Sequence, residues 1–194
     1  GYQTIAIGTV GERSLLSALA VTAGITGYPM VELLAENNCT LSIQEKAKQL
    51  TVSLAEHDLP SQDGVHVLAT VGSPDVVVLT GLILGAASHR MAVVFDTAET
   101  GAAVLAAKCI DEAVMDYVFP SVRTGEPVQA AQMKYLGIKP HLFYGFEMDE
   151  ALGSTMGLSV LDAGMHMLND MKTFGEASVN VAVDGPGSKR QDGR

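Results

Sequence analysis

The sequence predicts an α/β fold with a Rossmann-like parallel sheet and helices on both faces, in three layers. Short apolar segments alternate with longer helical ones, which is typical of parallel strands that are buried on both faces. The chain has 194 residues, of which 47% are apolar, enough for a single core. Its formal net charge is −10 and its Lys and Arg residues do not cluster, which argues against nucleic-acid binding.

Four apolar segments are predicted to be strands of this sheet. The first contains β-branched residues followed by Gly8, where the strand runs into a turn, and the other three are short apolar runs. They are residues 2–9, 91–96, 116–121 and 141–146. Ligands bind beyond the carboxyl ends of the strands in such sheets, so the four loops that follow are predicted to share one ligand-binding edge.

Helices are predicted between the strands and after the last one. They cover residues 13–24, 42–57, 73–90, 97–110, 126–137 and 152–173. Ser42 as N-cap and Glu45 three residues later predict a capping box at the second of these helices. The third contains Val76, Val77 and Val78, which favour a strand. Ser73 as N-cap, Pro74 at the first helical position and the length of the segment favour a buried helix instead.

The last helix carries an apolar stripe that is predicted to belong to the core. Its members recur at helical spacing. They are Leu158, Leu161, Met165, Leu168 and Met171.

The chain is predicted to form one α/β domain over residues 1–179, followed by a polar, Gly-rich tail over residues 180–194. Because the sequence starts directly with a strand, we expect it to lack the N-terminal part of a longer protein. Its two cysteines and five histidines have no metal-ligand spacing, which predicts reduced thiols, a cytoplasmic location and no metal site. No apolar run is long enough for a membrane span, and no signal peptide is visible.

Candidate site residues lie in the loops after the predicted strands. Gly8 and Gly11 either expose backbone N–H groups to a phosphate or form a turn that needs positive φ. Asp96 either binds ribose hydroxyls or caps the helix that follows it. Arg123, near Glu126, either clamps a phosphate or carboxylate or is a solvated surface residue.

The fourth loop is acidic, with Glu147, Asp149 and Glu150 directly before the last helix. Carboxylates there complement the helix dipole, which is one explanation for them. Glu150 is also well placed to act as a general base, because the small residues Gly153 and Ser154 leave room for a ligand beside it.

Three segments together resemble the motifs of one enzyme family. LTGLILGAASHRMAVVFD (79–96) resembles the helix and strand before a D-G-F-[IV] loop, and MLNDMKTFGEASV (167–179) resembles an M-x-T-F-x-x-A-x-V ending. LGIKPHLFYGFEMDEALGS (136–154) is similar to L-G-L-x-P-L-L-x-L-x-[LM]-R-L-G-E-G-T-G. The family is the nicotinate-nucleotide:dimethylbenzimidazole phosphoribosyltransferases. The resemblance runs from about residue 2 to residue 179 and corresponds to the family's C-terminal part.

The resemblance implies a cofactor-free transferase that moves phosphoribose from nicotinate mononucleotide to dimethylbenzimidazole or a related lower-ligand base of cobalamin. It further implies a homodimer, or a heterodimer with a homologous chain. It aligns Glu150 with the family's catalytic glutamate. The implied substrate-binding residues are Gly8, Gly11, Asp96, Glu126 and Gly153.

The chain departs from the family's motifs in all four loops. The family's G-E-M-G-I-G-N-T-T appears as GTVGERSLL (8–16), and Glu147 stands where the family has an arginine facing the phosphate. D-G-F appears as DTA (96–98), and S-H-x-S-x-E-P-G-H as SVRTGEPVQ (121–129). A second interpretation is therefore a non-catalytic partner subunit of a heteromeric enzyme, of the kind that acts on phenolic bases. A third is an unrelated Rossmann-like binding protein.

Overall fold

The computed structural model describes residues 3–9, 14–34, 41–144 and 151–178. Contacts divide the chain into two compact units, Gly1–Val160 and Leu161–Arg194. The elements are β1 (Thr4–Ala6), α1 (Ser14–Thr26), α2 (Met30–Leu33), α3 (Leu41–Glu56), α4 (Gly64–Val71), α5 (Pro74–Ser88), β2 (Ala92–Phe95), α6 (Ala98–Ile110), a 3₁₀ helix (Glu112–Asp116), β3 (Val118–Pro120), α7 (Pro127–Leu136) and α8 (Leu152–Asp170). The predicted tail at 180–194 lies outside the described residues.

The three strands form a parallel sheet in the order β1-β2-β3. Ile5 pairs with Val93, and Val94 pairs with Phe119. Beyond β3, a single parallel bridge joins Val122 to Leu142. Three of the four predicted strands are therefore confirmed. Of the fourth, the structure describes this bridge, and residues 145–146 lie outside the described residues.

Strand β2 is covered on both of its faces, as the sequence predicted. Val93, Val94 and Phe95 are all buried, and side chains alternate between the two faces of a strand. Val93 and Phe95 belong to the main apolar core. Val94 faces the other side, where a Cβ placed on Gly157 of α8 would lie 2.8 Å from its Cγ1. The first part of α8, as far as Gly157, therefore packs on the sheet face opposite the main core.

Helix α6 is the centre of the main core. Helices α1, α4, α5 and α7 all contact it, and its residues from Ala102 to Ala107 are buried, most of them alanine. Small side chains on every face allow several helices to pack against it at once. The buried Gln132 of α7 joins this core, because its Nε2 donates to the Thr22 hydroxyl at 2.9 Å and to the Ala98 carbonyl at 2.7 Å.

Of the two helix starts that were predicted from N-cap residues, the one at α5 is confirmed and the one at α3 is not. Ser73 is the N-cap of α5 and Pro74 follows it at the first helical position, as predicted. Helix α3 begins at Leu41, so the prediction that Ser42 is its N-cap was wrong, because Ser42 already lies within the helix. Helix α4 was not predicted, although the residue before it, Asp63, is its N-cap and accepts hydrogen bonds from two of its backbone N–H groups.

Two apolar segments are less buried than the sequence predicted. In α5, Val76 is buried but Val78 is 66% exposed, so only one face of that helix packs on the core. The prediction that the apolar stripe of the last helix belongs to the core was wrong. Met165, Leu168 and Met171 are 46%, 76% and 65% exposed, and Leu158 and Leu161 are only partly buried. Periodicity identifies the face of a helix that is suited to burial, but not what covers it. No helix of the described residues is long and apolar enough to cross a membrane.

Candidate functional site at the carboxyl ends of the strands

Asp96 follows directly after β2 and is a buried residue, only 2% exposed. Its Oδ2 accepts a 2.9 Å hydrogen bond from the backbone N–H of Ser154, in the first turn of α8. Within the described residues, its Oδ1 makes no hydrogen bond. Burial raises the pKa of the Asp96 carboxyl above its usual value, and the hydrogen bonds from Ser154 only partly oppose this rise.

Asp96 does not cap the helix that follows it, so that interpretation was wrong. Thr97 is the N-cap of α6 and forms a capping box with Thr100, in which each hydroxyl accepts from the backbone N–H of the other residue. Asp96 lies two residues after Val94, so its side chain continues the sheet face on which α8 packs. The carboxylate therefore reaches the first turn of α8 instead of the first turn of α6.

Ser154 connects the start of α8 to a second strand. Its hydroxyl donates a 2.6 Å hydrogen bond to the carbonyl of Ile7, just beyond β1. The same residue therefore bonds through its backbone to the end of β2 and through its side chain to the end of β1.

Glycines allow this close approach between α8 and the strand ends. A Cβ on Gly153 would lie 2.9 Å from Asp96 Oδ2, and a Cβ on Gly8 would overlap the side chain and backbone of Ala151. Three of the predicted site residues, Gly8, Asp96 and Gly153, thus meet around the first turn of one helix. Their role in substrate binding stays a prediction.

Gln129 joins the loops that follow β2 and β3, and it is not among the site residues predicted from the sequence. Its Nε2 donates to the carbonyl of Asp96 at 2.7 Å and to that of Val122 at 2.8 Å, while its Oε1 accepts from the N–H of Thr124 at 2.9 Å. The one available signal is its position, since it stands where the family's S-H-x-S-x-E-P-G-H motif ends in histidine. Glu126 is the N-cap residue of α7, in the loop that Gln129 holds.

The predicted residues Gly11, Glu147 and Glu150 lie outside the described residues. The residue directly after Glu150 is described. Ala151 has a φ of 67°, in the left-handed region that favours glycine, and the family's R-L-G-E-G-T-G motif has glycine at this position. No group of three or more His, Cys, Asp or Glu residues within the described ranges is arranged to hold a metal ion.

A family model described as phosphoribosyltransferase matches residues 1–179. The chain belongs to this phosphoribosyltransferase family. This confirms the resemblance that the motifs indicated. The nicotinate-nucleotide–dimethylbenzimidazole phosphoribosyltransferase of Chloroflexus aggregans is 34% identical over 93% of this chain and 52% of that protein. The protein of the same name from a Roseiflexus species, strain RS-1, is 32% identical over 95% of this chain and 53% of that protein.

Solved structures of the phosphoribosyltransferase family share this fold. The crystal structure of CobT from Thermus thermophilus matches with a TM-score of 0.85 and 25% identity, over 94% of this chain and 55% of that one. The chain therefore spans about half the length of the relatives that it matches.

Proposed function

We propose that this chain carries the part of a phosphoribosyltransferase site that removes a proton from the attacking azole. In this role it helps to move phosphoribose from nicotinate mononucleotide to dimethylbenzimidazole or a related base in cobalamin nucleotide-loop assembly. The observation that carries the proposal is the meeting of Gly8, Asp96 and Gly153 around the helix turn that directly follows Glu150. The edge is the one at which parallel sheets bind ligands. We also propose the cytoplasm as its location, because the two cysteines are predicted to be reduced thiols.

Glu150 is the general base in this proposal. One ring nitrogen of the base attacks C1′ of the ribose and forms the new C–N bond, while the bond from C1′ to nicotinate breaks. Glu150 accepts the proton from the other ring nitrogen, so the product leaves as a neutral azole. A base held in position also keeps the nucleophile oriented toward C1′.

A second candidate function rests on Glu147, which stands where the family's motif has arginine. A carboxylate beside the phosphate of the nucleotide repels it, whereas arginine binds it with two parallel hydrogen bonds. On this basis the chain is a partner subunit that pairs with a homologous chain, and the homologous chain does the chemistry. The first candidate is compatible with either a homodimer or such a heterodimer.

The test is isothermal titration of nicotinate mononucleotide together with an assay of phosphoribosyl transfer. Both are run on the chain alone and on the chain mixed with a homologous chain that has intact motifs. We expect Glu150→Gln to lower the transfer rate by about 10²–10⁴-fold and to leave nucleotide affinity nearly unchanged. Asp149→Asn is the control, because it removes a charge from the same segment outside the aligned glutamate. Glu147→Arg should strengthen nucleotide binding.

The outcomes separate the two candidates. If transfer by the mixture survives Glu150→Gln in this chain, the chemistry belongs to the homologous chain and the partner role is correct. If neither the chain nor any mixture transfers phosphoribose or binds the nucleotide, both candidates fail.

A further inference from the structure

We propose that Asp96 is a positioning residue, which fixes the segment carrying Glu150 through the first turn of α8 and does not touch the substrate. The catalytic half of this inference rests on the proposed function. The structural half, that Asp96 and Ser154 anchor the start of α8, stands separately.

The hydrogen bonds around Ser154 form a short path from the sheet toward Glu150. Ser154 is fully buried and bonds to Asp96 through its backbone and to Ile7 through its hydroxyl. The carbonyl of Ala151 accepts from the N–H of Thr155 at 2.9 Å and is 3.3 Å from the Ser154 hydroxyl. Ala151 is the residue that follows Glu150 in the sequence, so the path ends one peptide bond from the proposed base.

Burial keeps Asp96 away from a ligand. The described structure leaves its Oδ1 inaccessible to solvent and without a hydrogen-bond partner. The first turn of α8 lies over the carboxyl group, as a Cβ on Gly153 would be 2.9 Å from Oδ2 and 3.0 Å from the Asp96 Cβ. A ribose hydroxyl could reach this carboxylate only if that helical turn moved away.

The backbone of Ala151 gives independent support for the role of this anchor. An L-residue in the left-handed region is strained, and such strain persists only where the surrounding structure holds it. Ala151 is held by the close approach of Gly8 and by the hydrogen bond from the Thr155 N–H to its carbonyl. Ser154 fixes the same helical turn through its bonds to Asp96 and Ile7. The geometry therefore assigns to Asp96 and Ser154 the task of holding the residue next to Glu150.

Three variants test the inference in the chain, mixed with its homologous partner where transfer requires one. Asp96→Ala removes the acceptor of the Ser154 N–H, Asp96→Asn keeps an acceptor without the charge, and Ser154→Ala removes the bond to Ile7. Asp63→Ala is the matched control, because Asp63 also accepts hydrogen bonds from the first turn of a helix, α4. Each protein is measured by amide hydrogen exchange over residues 151–157 and by kcat and KM for transfer from nicotinate mononucleotide.

We expect exchange over residues 151–157 to become roughly 10–100-fold faster in Asp96→Ala, since an unpaired buried N–H opens more readily. Its kcat should fall by a similar factor with KM changed less than about twofold, because the lost alignment acts on the reaction and not on nucleotide binding. Ser154→Ala should have the same effects to a smaller degree. Asp96→Asn should restore both quantities to near the unsubstituted values, and Asp63→Ala should change neither.

Two results would overturn the inference while the proposed function stands. One is an Asp96→Asn variant as slow as Asp96→Ala, which would show that the charge itself is required. The other is a rise in KM with unchanged kcat, which would indicate contact with the substrate. If no protein in the series transfers phosphoribose, the proposed function fails, and hydrogen exchange alone decides the structural half. Unchanged exchange in Asp96→Ala would then refute the anchor, and faster exchange confined to the start of α8 would support it.

Discussion

Replacing Asp96 by asparagine should make the chain more stable at neutral pH. Burial raises the pKa of Asp96, so the folded state holds its proton more tightly than the unfolded state does. The contribution of Asp96 to the free energy of unfolding is therefore greatest below the usual pKa of aspartate and is lost as the pH rises through the raised pKa of the folded state. Asparagine resembles the protonated carboxyl in shape, carries no charge at any pH, and still offers Ser154 an acceptor.

The size of the gain follows from two opposing effects. Burial of a charged oxygen without a partner costs about 1–3 kcal/mol, more than burial of a neutral amide. Exchange of a charge-assisted hydrogen bond for a neutral one loses about 1 kcal/mol. The raised pKa means that the first effect is the larger, so we expect a net gain of about 1 kcal/mol near pH 7. For a chain of this size that is roughly 2–4 °C in Tm.

Thermal or urea unfolding of both proteins near pH 7 and again near pH 4 measures this difference. The gain should shrink at the lower pH, where the Asp96 carboxyl is about half protonated in the unfolded chain and the raised pKa of the folded state favours the protonated form. Asp63→Asn is the control and should be close to neutral at both pH values, because asparagine caps a helix about as well as aspartate. A loss of stability near pH 7, or a gain that is the same at both pH values, would refute the reasoning.

Three further substitutions are expected to change stability, each measured by thermal unfolding. Ala151→Gly should stabilise the chain by up to about 1 kcal/mol, because glycine adopts the left-handed backbone that costs an L-residue about 1–2 kcal/mol. Unchanged stability would mean that Ala151 is not strained. Gly157→Ala should destabilise the chain by about 1–3 kcal/mol, because the new Cβ would lie 2.5 Å from the Cβ of Ser121. Gly164→Ala in the same helix is the control and should be neutral or stabilising, because no atom lies near its new Cβ. Gln129→Leu leaves two buried carbonyls and one N–H without a partner and should lower the free energy of unfolding by roughly 3 kcal/mol or more. A decrease below about 1 kcal/mol would show that water replaces the amide.

Local patterns in the sequence predicted the fold well where the elements are determined by nearby residues. The β2 segment and α6 are examples, because an apolar run that ends in a polar residue and an alanine-rich helix can be recognised without knowing their neighbours. Helix starts were less certain. Ser42 has the right residue type for an N-cap, but the chain enters α3 one residue earlier, at Leu41.

The candidate site was predictable in its residues but not in its contacts. Parallel topology places the ends of strands together, so Gly8 and Asp96 could be expected at one edge. The bond from Ser154 to Asp96 joins residues that are 58 positions apart, and no local pattern contains it. The three hydrogen bonds of Gln129 were not predicted either, because a glutamine in the first turn of a helix usually faces solvent.

The rate at which the exposed methionines at the end of α8 are oxidised depends on whether another molecule covers them. Met167 in α8 and Met171, directly after that helix, are largely open to solvent, whereas Met30 and Met133 are buried in the core. Dilute peroxide converts accessible methionine to the sulfoxide, which adds one oxygen atom that mass spectrometry detects residue by residue. The buried pair then reports whether the fold has remained intact during the treatment. Slower oxidation of the exposed pair would show that another molecule covers the end of that helix.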